Sequence, residues 1–130
     1  TLLLRMRELA VQSSNGTLAA TDRAALEAEA KSLEDEITRI SDTSSWAGQR
    51  LLDNSLSDGI TFQAGTGSSG ANLITVSVPN MAATAATIGY SVAHDIGTFT
   101  GAQSAIGTLD IALSFVNVNC YDCINSIKQT

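Results

Sequence analysis

Residues 22–40 read DRAALEAEAKSLEDEITRI, and a set of apolar residues recurs in them at alternating spacings of four and three. That spacing keeps the set on one stripe of an α-helix and is typical of helices that pack nearly parallel to one another. The charged residues of the stretch, including those at 34–36, suit a solvated face. We therefore predict a helix that is capped by Thr21 and has one buried seam. The seam consists of Leu26, Ala30, Leu33, Ile37 and Ile40.

Helical patterns also mark the two ends of the sequence. Residues 1–15 carry apolar residues at helical spacing, and Asn15-Gly16 is a signal that ends helices. The pattern over residues 102–127 predicts a helix of about 28 residues, which would be about 42 Å long. A helix of that length needs neighbours to bury its stripe, so we predict an elongated antiparallel bundle of three helices. The stripe is formed by Ala102, Ile106, Leu109, Leu113, Val116, Cys120, Cys123 and Ile127, and the predicted centre of the bundle by Leu33, Ile37, Leu109 and Leu113.

The stretch between the second and third helices contains a strand signal. Residues 60–64 and 74–78 alternate apolar and polar side chains, which predicts two half-buried strands joined by the glycine-rich loop 65–72. Residues 41–58 predict a polar loop that Trp46, Leu51 and Leu52 hold to the helices. Residues 80–98 are weakly patterned and predict a connection with little core of its own. The predicted fold class is α+β, mainly helical, with a β-hairpin packed beside the bundle.

Composition excludes several kinds of partner. The formal net charge is -6 and the pI is about 4.4, whereas a nucleic-acid partner would require a basic surface. The same acidity argues against attachment to an anionic membrane surface. No apolar run approaches the roughly 20 residues of a membrane helix. We therefore expect neither nucleic acid nor membrane as a partner.

Three sequence patterns resemble chemical sites, but their contexts favour other interpretations. The glycines of residues 65–70 match G-x-G-x-x-G, yet a nucleotide site would require a helix, not a strand, after them. Cys120 and Cys123 form C-x-x-C on the apolar stripe of a helix, where small packing residues are the favoured interpretation. His94 is the single histidine and cannot complete a zinc site with them. We expect no enzymatic activity, no metal and no cofactor. Asn15-Gly16-Thr17 is in addition an N-glycosylation sequon, which matters only in a eukaryotic secretory host.

Four stretches, taken together, resemble one protein family, the bacterial flagellins. They are RMRELAVQSSNGT at 5–17, residues 22–53, the pair ITFQAG and LITVSV at 60–65 and 73–78, and GAQSAIGTLDIALSFVN at 101–117. The chain departs from the family at Trp46-Ala47-Gly48, where Phe-Asn-Gly is usual, and at 119–124, where only Asp122 agrees. The resemblance implies a single inner core domain over 1–130. It divides into N-terminal helices and hairpin (1–79), a reduced variable connection (80–98) and a C-terminal helix (99–130), and we expect the terminal polymerisation segments to be absent.

The resemblance also implies a function. Flagellins are secreted structural subunits that stack with one another into the extracellular flagellar filament, so motility is the expected role. The alternatives are a fragment of the hook–filament junction protein and a module that only binds a receptor. The flagellin-sensing Toll-like receptor is the implied receptor. The residues implied for its binding are Arg5, Leu9 and Glu29, with Arg7, Glu8 and Gln12 nearby; the competing interpretation is that Arg5 is solvated and Leu9 belongs to the core.

Overall fold

The computed structural model describes residues 1–56, 58–67, 70–81 and 95–128, without the side chains of residues 71 and 122–128. Its helices are α1 (Leu2–Ser13), α2 (Ala20–Thr43) and α3 (Phe99–Lys128). Its strands are β1 (Ser45–Trp46), β2 (Gln49–Arg50), β3 (Ile60–Gln63) and β4 (Leu73–Val76). The predicted α+β class, mainly helical with three helices and a hairpin, is confirmed.

Helix α1 lies between the other two helices and packs against both. It runs antiparallel to α2, because Arg5 near its start meets Glu29 and Ser13 at its end meets Arg23. It also runs antiparallel to α3, because Ser13 at its end bonds to Ile96, just before α3 begins, whereas Arg7 nearer its start meets Asp110. Helices α2 and α3 therefore run in the same direction, on either side of α1.

The core consists mostly of small side chains, and its centre differs from the prediction. Leu109 is fully buried as predicted, but Leu33, Ile37 and Leu113 are only partly buried. On α3 the buried stripe includes Ala105 and Ala112 in place of larger residues. The reason is that alanines face α1, so the bulkier residues of α3 lie at the edges of the contact. The buried core cluster is Met6, Leu9, Ala10, Ala30, Ile96, Ala102, Ala105, Leu109 and Ala112.

The helix ends also differ from the prediction. Thr21 does not cap α2; the helix begins two residues earlier than predicted, after Ala19, and no side chain there caps it. Helix α1 ends at Ser13, and Gly16 does not adopt the positive φ of a glycine cap. Instead, Arg23 reaches back from α2 and donates hydrogen bonds to the carbonyl oxygens of Ser13 and Asn15, both at 3.0 Å. A side chain from the following helix thus satisfies carbonyls at the end of α1.

After α2 the chain forms a small hairpin where we predicted an irregular loop. Strands β1 and β2 are joined by Ala47 and Gly48, whose φ values of 52° and 81° are those of a two-residue hairpin turn. The prediction that Trp46 holds this segment to the helices is wrong, because its side chain is 60% exposed. The anchor is Leu56, which is buried, together with a hydrogen bond of 2.9 Å from the Ser41 hydroxyl to the Leu52 carbonyl.

The predicted β-hairpin is present. Strands β3 and β4 pair antiparallel, with Ile60 opposite Val76 and Gln63 opposite Leu73, and β4 contacts α3. In the loop that joins them, the backbone at Gly65 and Gly67 passes so close to the Asn72 side chain that a β-carbon at either position would clash. The glycines there have a packing role, which the loop prediction had left unexplained.

The connection at 80–98 contributes more to the core than predicted. Ile96 is fully buried, and Met81 packs against the core cluster. The Ser13 hydroxyl donates a hydrogen bond of 2.5 Å to the Ile96 carbonyl. Residues 82–94, including His94, lie outside the described residues.

Candidate functional site

The two arginines of α1 point to opposite neighbours. Arg5 and Arg7 are two residues apart, which is about 200° around a helix axis. Arg5 therefore faces α2, where it meets Glu29, and Arg7 faces α3, where it meets Asp110. The consequence is that exposed ion pairs join the middle helix to both of its neighbours.

Arg5 lies at the centre of a charged cluster on the surface of α1 and α2. Its Nε and Nη2 atoms donate to Oε1 of Glu29 at 2.9 and 2.6 Å, and its Nη1 donates to Glu8 at 3.3 Å. These hydrogen bonds raise the pKa of Arg5 above its ordinary value, and the bond with Glu29 has the largest effect. The Arg5 and Glu29 side chains are 49% and 44% exposed, so a partner could reach both. We call Arg5, Glu8, Gln12 and Glu29 the α1–α2 charged face; Gln12 is exposed on α1, one helical turn beyond Glu8.

Leu9 does not belong to that surface. It is 1% exposed and forms part of the core cluster, one helical turn beyond Arg5. The reason is that Leu9 shares the inward face of α1 with Met6 and Ser13, which are also fully buried. The family resemblance implied an exposed apolar contact at Leu9, but in the folded chain this side chain is not exposed.

The pair between Arg7 and Asp110 was missed by sequence reasoning. Arg7 Nε donates to Asp110 Oδ1 at 2.6 Å, and Nη2 donates to Oδ2 at 3.5 Å. The hydrogen bond from Arg7 lowers the pKa of the Asp110 carboxyl and raises that of Arg7. The partners are 103 residues apart in sequence, and no local spacing rule connects residues at that distance.

The described residues contain little that suggests chemistry. Residues 65–67 and 70 of the glycine motif lie between antiparallel strands, and only a three-residue 3₁₀ turn, Gly70–Asn72, and then a strand follow, where a phosphate site would need an α-helix. Cys120 is exposed, which contradicts the packing role predicted for it; the side chain of Cys123 is not described, and His94 lies outside the described residues. Glu34 is buried, so the prediction that 34–36 form a solvated face is wrong at that residue. In the described part of the chain, no group of three His, Cys, Asp or Glu residues could hold a metal ion.

An apolar groove lies at the end of the bundle where α1 begins. Its volume is about 650 Å³, and its walls come from all three helices and from the segments around Leu52 and Met81. Leu2, Leu3, Ile37 and Leu113 line it. No helix in the described ranges is long and apolar enough to cross a membrane.

These features define a mainly helical chain whose exposed ion pairs join its helices to one another. Comparison with known proteins points to one family. Residues 1–57 match the family model described as the bacterial flagellin N-terminal helical region. A flagellin of Halalkalibacterium halodurans is 40% identical over 116 residues, which are 89% of this chain and 41% of that protein. Flagellin A of Vibrio anguillarum is 46% identical over 67 residues, 52% of this chain and 17% of the relative.

The structural comparison agrees with the sequence matches. The crystal structure of Bacillus cereus flagellin has a TM-score of 0.76 and 26% identity, and the match covers 98% of this chain and 69% of that one. The chain therefore belongs to the flagellin family. It spans less than half the length of the two curated relatives described above.

Proposed function

We propose that this chain is the inner core domain of a secreted structural subunit of the bacterial flagellar filament. The observation that carries the proposal is the match of α1, α2 and the following hairpin to the flagellin N-terminal model, together with a fold shared with Bacillus cereus flagellin along nearly the whole chain. In this proposal, residues 1–79 and 99–130 form the helical core, and 80–98 replace a longer variable insertion.

The surface of the bundle supports an assembling role. Several large apolar side chains remain exposed along α1 and α3, with Ile111 and Tyr121 each 66% exposed. Exposed apolar groups spread along a helix are suited to contacts with neighbouring subunits. On α1 and α3 they are Leu4, Val11, Phe99, Ile111, Val118 and Tyr121.

A chimera would test the filament role. The segment of the Halalkalibacterium halodurans flagellin that aligns with this chain is replaced by residues 1–130, and the chimera is produced in a strain that lacks its own flagellin. We expect secreted protein and filaments visible by electron microscopy. A secreted, folded chimera that forms no filaments would contradict the proposal. Short structures confined to the hook end would favour the alternative, a hook–filament junction protein.

We further propose that the α1–α2 charged face binds the flagellin-sensing Toll-like receptor. The favouring observation is that Arg5 and Glu29, on different helices, are exposed side by side, with Glu8 in the same cluster. Arginine is enriched in interface hot spots because its planar fork makes several directed hydrogen bonds. Leu9 would act indirectly here, by holding α1 in the core, and Arg7 would act by fixing α1 to α3.

Binding of the folded chain to the receptor ectodomain tests this proposal. We expect Arg5→Ala and Glu29→Ala each to weaken binding by roughly 2 kcal/mol or more, the usual size of a hot-spot effect. Arg39→Ala is the matched control, because Arg39 is an exposed arginine of α2 that pairs with Glu36 at a different part of the surface. Equal affinities for all variants, or no binding by the folded chain, would remove the receptor from the proposal and leave the filament role standing.

A further inference from the structure

The turn between α1 and α2 contains the one asparagine of the sequence that precedes a glycine. Asn15 and Gly16 are both exposed, directly after the end of α1. The backbone here is held in a defined shape. Asn15 N donates to the Gln12 carbonyl at 3.1 Å, and Leu18 N donates to the Asn15 carbonyl at 3.3 Å.

The side-chain amide of Asn15 is held by Thr17. Its Oδ1 atom accepts two hydrogen bonds, one from the Thr17 backbone N–H at 3.2 Å and one from the Thr17 hydroxyl at 3.0 Å. In the described ranges, neither the Gly16 nitrogen nor Asn15 Nδ2 donates a hydrogen bond. Apart from its two neighbours in the chain, no residue lies within 4 Å of the place where a β-carbon of Gly16 would be. The backbone nitrogen that follows Asn15 is thus unhindered and free of hydrogen bonds.

We propose that Asn15 is a site of self-catalysed deamidation, in which the Gly16 nitrogen attacks Cγ of Asn15 and Thr17 stabilises the charge that develops on Oδ1. The attack forms a bond between the Gly16 nitrogen and Cγ, and the nitrogen loses its proton to water or hydroxide. The bond from Cγ to Nδ2 then breaks, and ammonia leaves with a proton from solvent. Water opens the resulting cyclic imide at one of its two carbonyls and yields aspartate or isoaspartate. No oxidant or reductant takes part.

The two hydrogen-bond donors of Thr17 are what distinguish this site. When nitrogen attacks the amide carbon, negative charge grows on Oδ1, the atom to which both donors already point. Donors placed in advance where charge develops lower a reaction barrier, as they do in the oxyanion holes of enzymes. Gly16 contributes separately, because a residue without a β-carbon lets the backbone rotate toward the side chain.

The reaction would change the turn in two ways. It places a new negative charge at the C-terminal end of α1, where the helix dipole disfavours it. The isoaspartate product also lengthens the main chain by one carbon, which displaces the carbonyl that accepts hydrogen bonds from Leu18 and from Arg23. The contact by which Arg23 joins the end of α1 to α2 would be weakened. This inference does not depend on the proposed filament or receptor roles.

The test follows the conversion of Asn15 by peptide mapping and mass spectrometry during incubation of the folded chain at mildly alkaline pH. Wild type is compared with Thr17→Val, Thr17→Ser and Gly16→Ala, and with an unfolded synthetic peptide of residues 11–21. Circular dichroism confirms that each variant is folded. Loss of one solvent-exposed hydrogen bond to Oδ1 is expected to slow the conversion of Asn15 by about three- to tenfold.

We expect Asn15 to convert at least as fast in the folded chain as in the peptide. Thr17→Val should slow conversion about three- to tenfold in the folded chain and less in the peptide, whereas Thr17→Ser should retain the rate. Gly16→Ala should slow it in both. A folded chain that converts more slowly than the peptide would overturn the proposal, as would equal rates for wild type and Thr17→Val.

Discussion

Residues one turn apart on α1 have opposite surroundings, and this decides what their substitution would report. Arg5 is half exposed in an ion pair, whereas Leu9 is buried among Met6, Ala10 and Leu109. A variant of Leu9 that loses receptor binding would therefore report on the fold, and a variant of Arg5 would report on the surface. The two positions cannot be interpreted as one contact.

Leu9→Ala should lower the free energy of unfolding by about 2–5 kcal/mol, the usual cost of removing a core leucine. The matched control is Leu4→Ala on the same helix, because Leu4 is 52% exposed and its truncation should cost less than about 1 kcal/mol. Denaturant titration followed by circular dichroism measures both. Equal losses would mean that the buried face of α1 has been misassigned.

The pair between Arg7 and Asp110 should make stability depend on pH. Since the pKa of Asp110 is lowered in the folded chain, its contribution is present above the unfolded value of 3.8 and is lost as the pH falls through the folded value. Asp110→Asn should therefore destabilise the chain at neutral pH, and its difference from wild type should shrink below about pH 4. The denaturation midpoint at several pH values measures this. A difference between Asp110→Asn and wild type that stays constant over this pH range would contradict the prediction.

At the scale of elements, the contact between α1 and α3 is built on alanine. Ala102, Ala105 and Ala112 are buried on α3, and Ala10 is buried on α1. Small side chains let helix backbones pack closely, which leaves little room for any larger group. The packing of these two helices is therefore sensitive to volume added at the alanines.

Ala105→Leu should cost about 1–3 kcal/mol, because extra methylene groups in a packed interface force side chains or backbone to shift. Ala28→Leu, on an exposed position of α2, should change stability by no more than about 0.5 kcal/mol. Thermal unfolding compares the two. A neutral Ala105→Leu variant would show that the helices do not pack through this seam.

The sequence predicted which segments are helical better than it predicted how each helix is rotated about its own axis. Spacings of four and three fix the existence of α2 and α3, and alternation fixes the hairpin. They do not fix which side of α3 faces α1, because Ala105 and Ile106 are both apolar and adjacent. The pairing of Arg7 with Asp110 depends on that rotation, and the burial of Glu34 depends on how α2 is rotated, so no pattern within one helix could predict them. The exposure of Trp46 depends on a two-residue turn at Ala47-Gly48, whose sequence is a weak hairpin signal.

For the whole molecule, α1 needs both of its neighbours. Its buried residues Met6 and Leu9 form one cluster with Ala30 of α2 and with Leu109 of α3. A fragment of residues 1–79 should therefore lack a cooperative thermal transition, since the largest apolar contact of α1 would be missing. Adding a peptide of residues 95–130 should restore helical circular dichroism. A fragment that melts cooperatively by itself would contradict this arrangement.

The middle position of α1 also has a consequence for the order of events during synthesis. Helix α2 follows α1 directly in the chain, but the contact of α1 with α3 must wait, since Arg7 and Asp110 are separated by 103 residues. Closing so long a loop before its contacts form is slow, and chains dominated by distant contacts fold late. The larger of the two helix contacts of α1 can thus form only after α3 has been made, and the core of the bundle is expected to close late in translation.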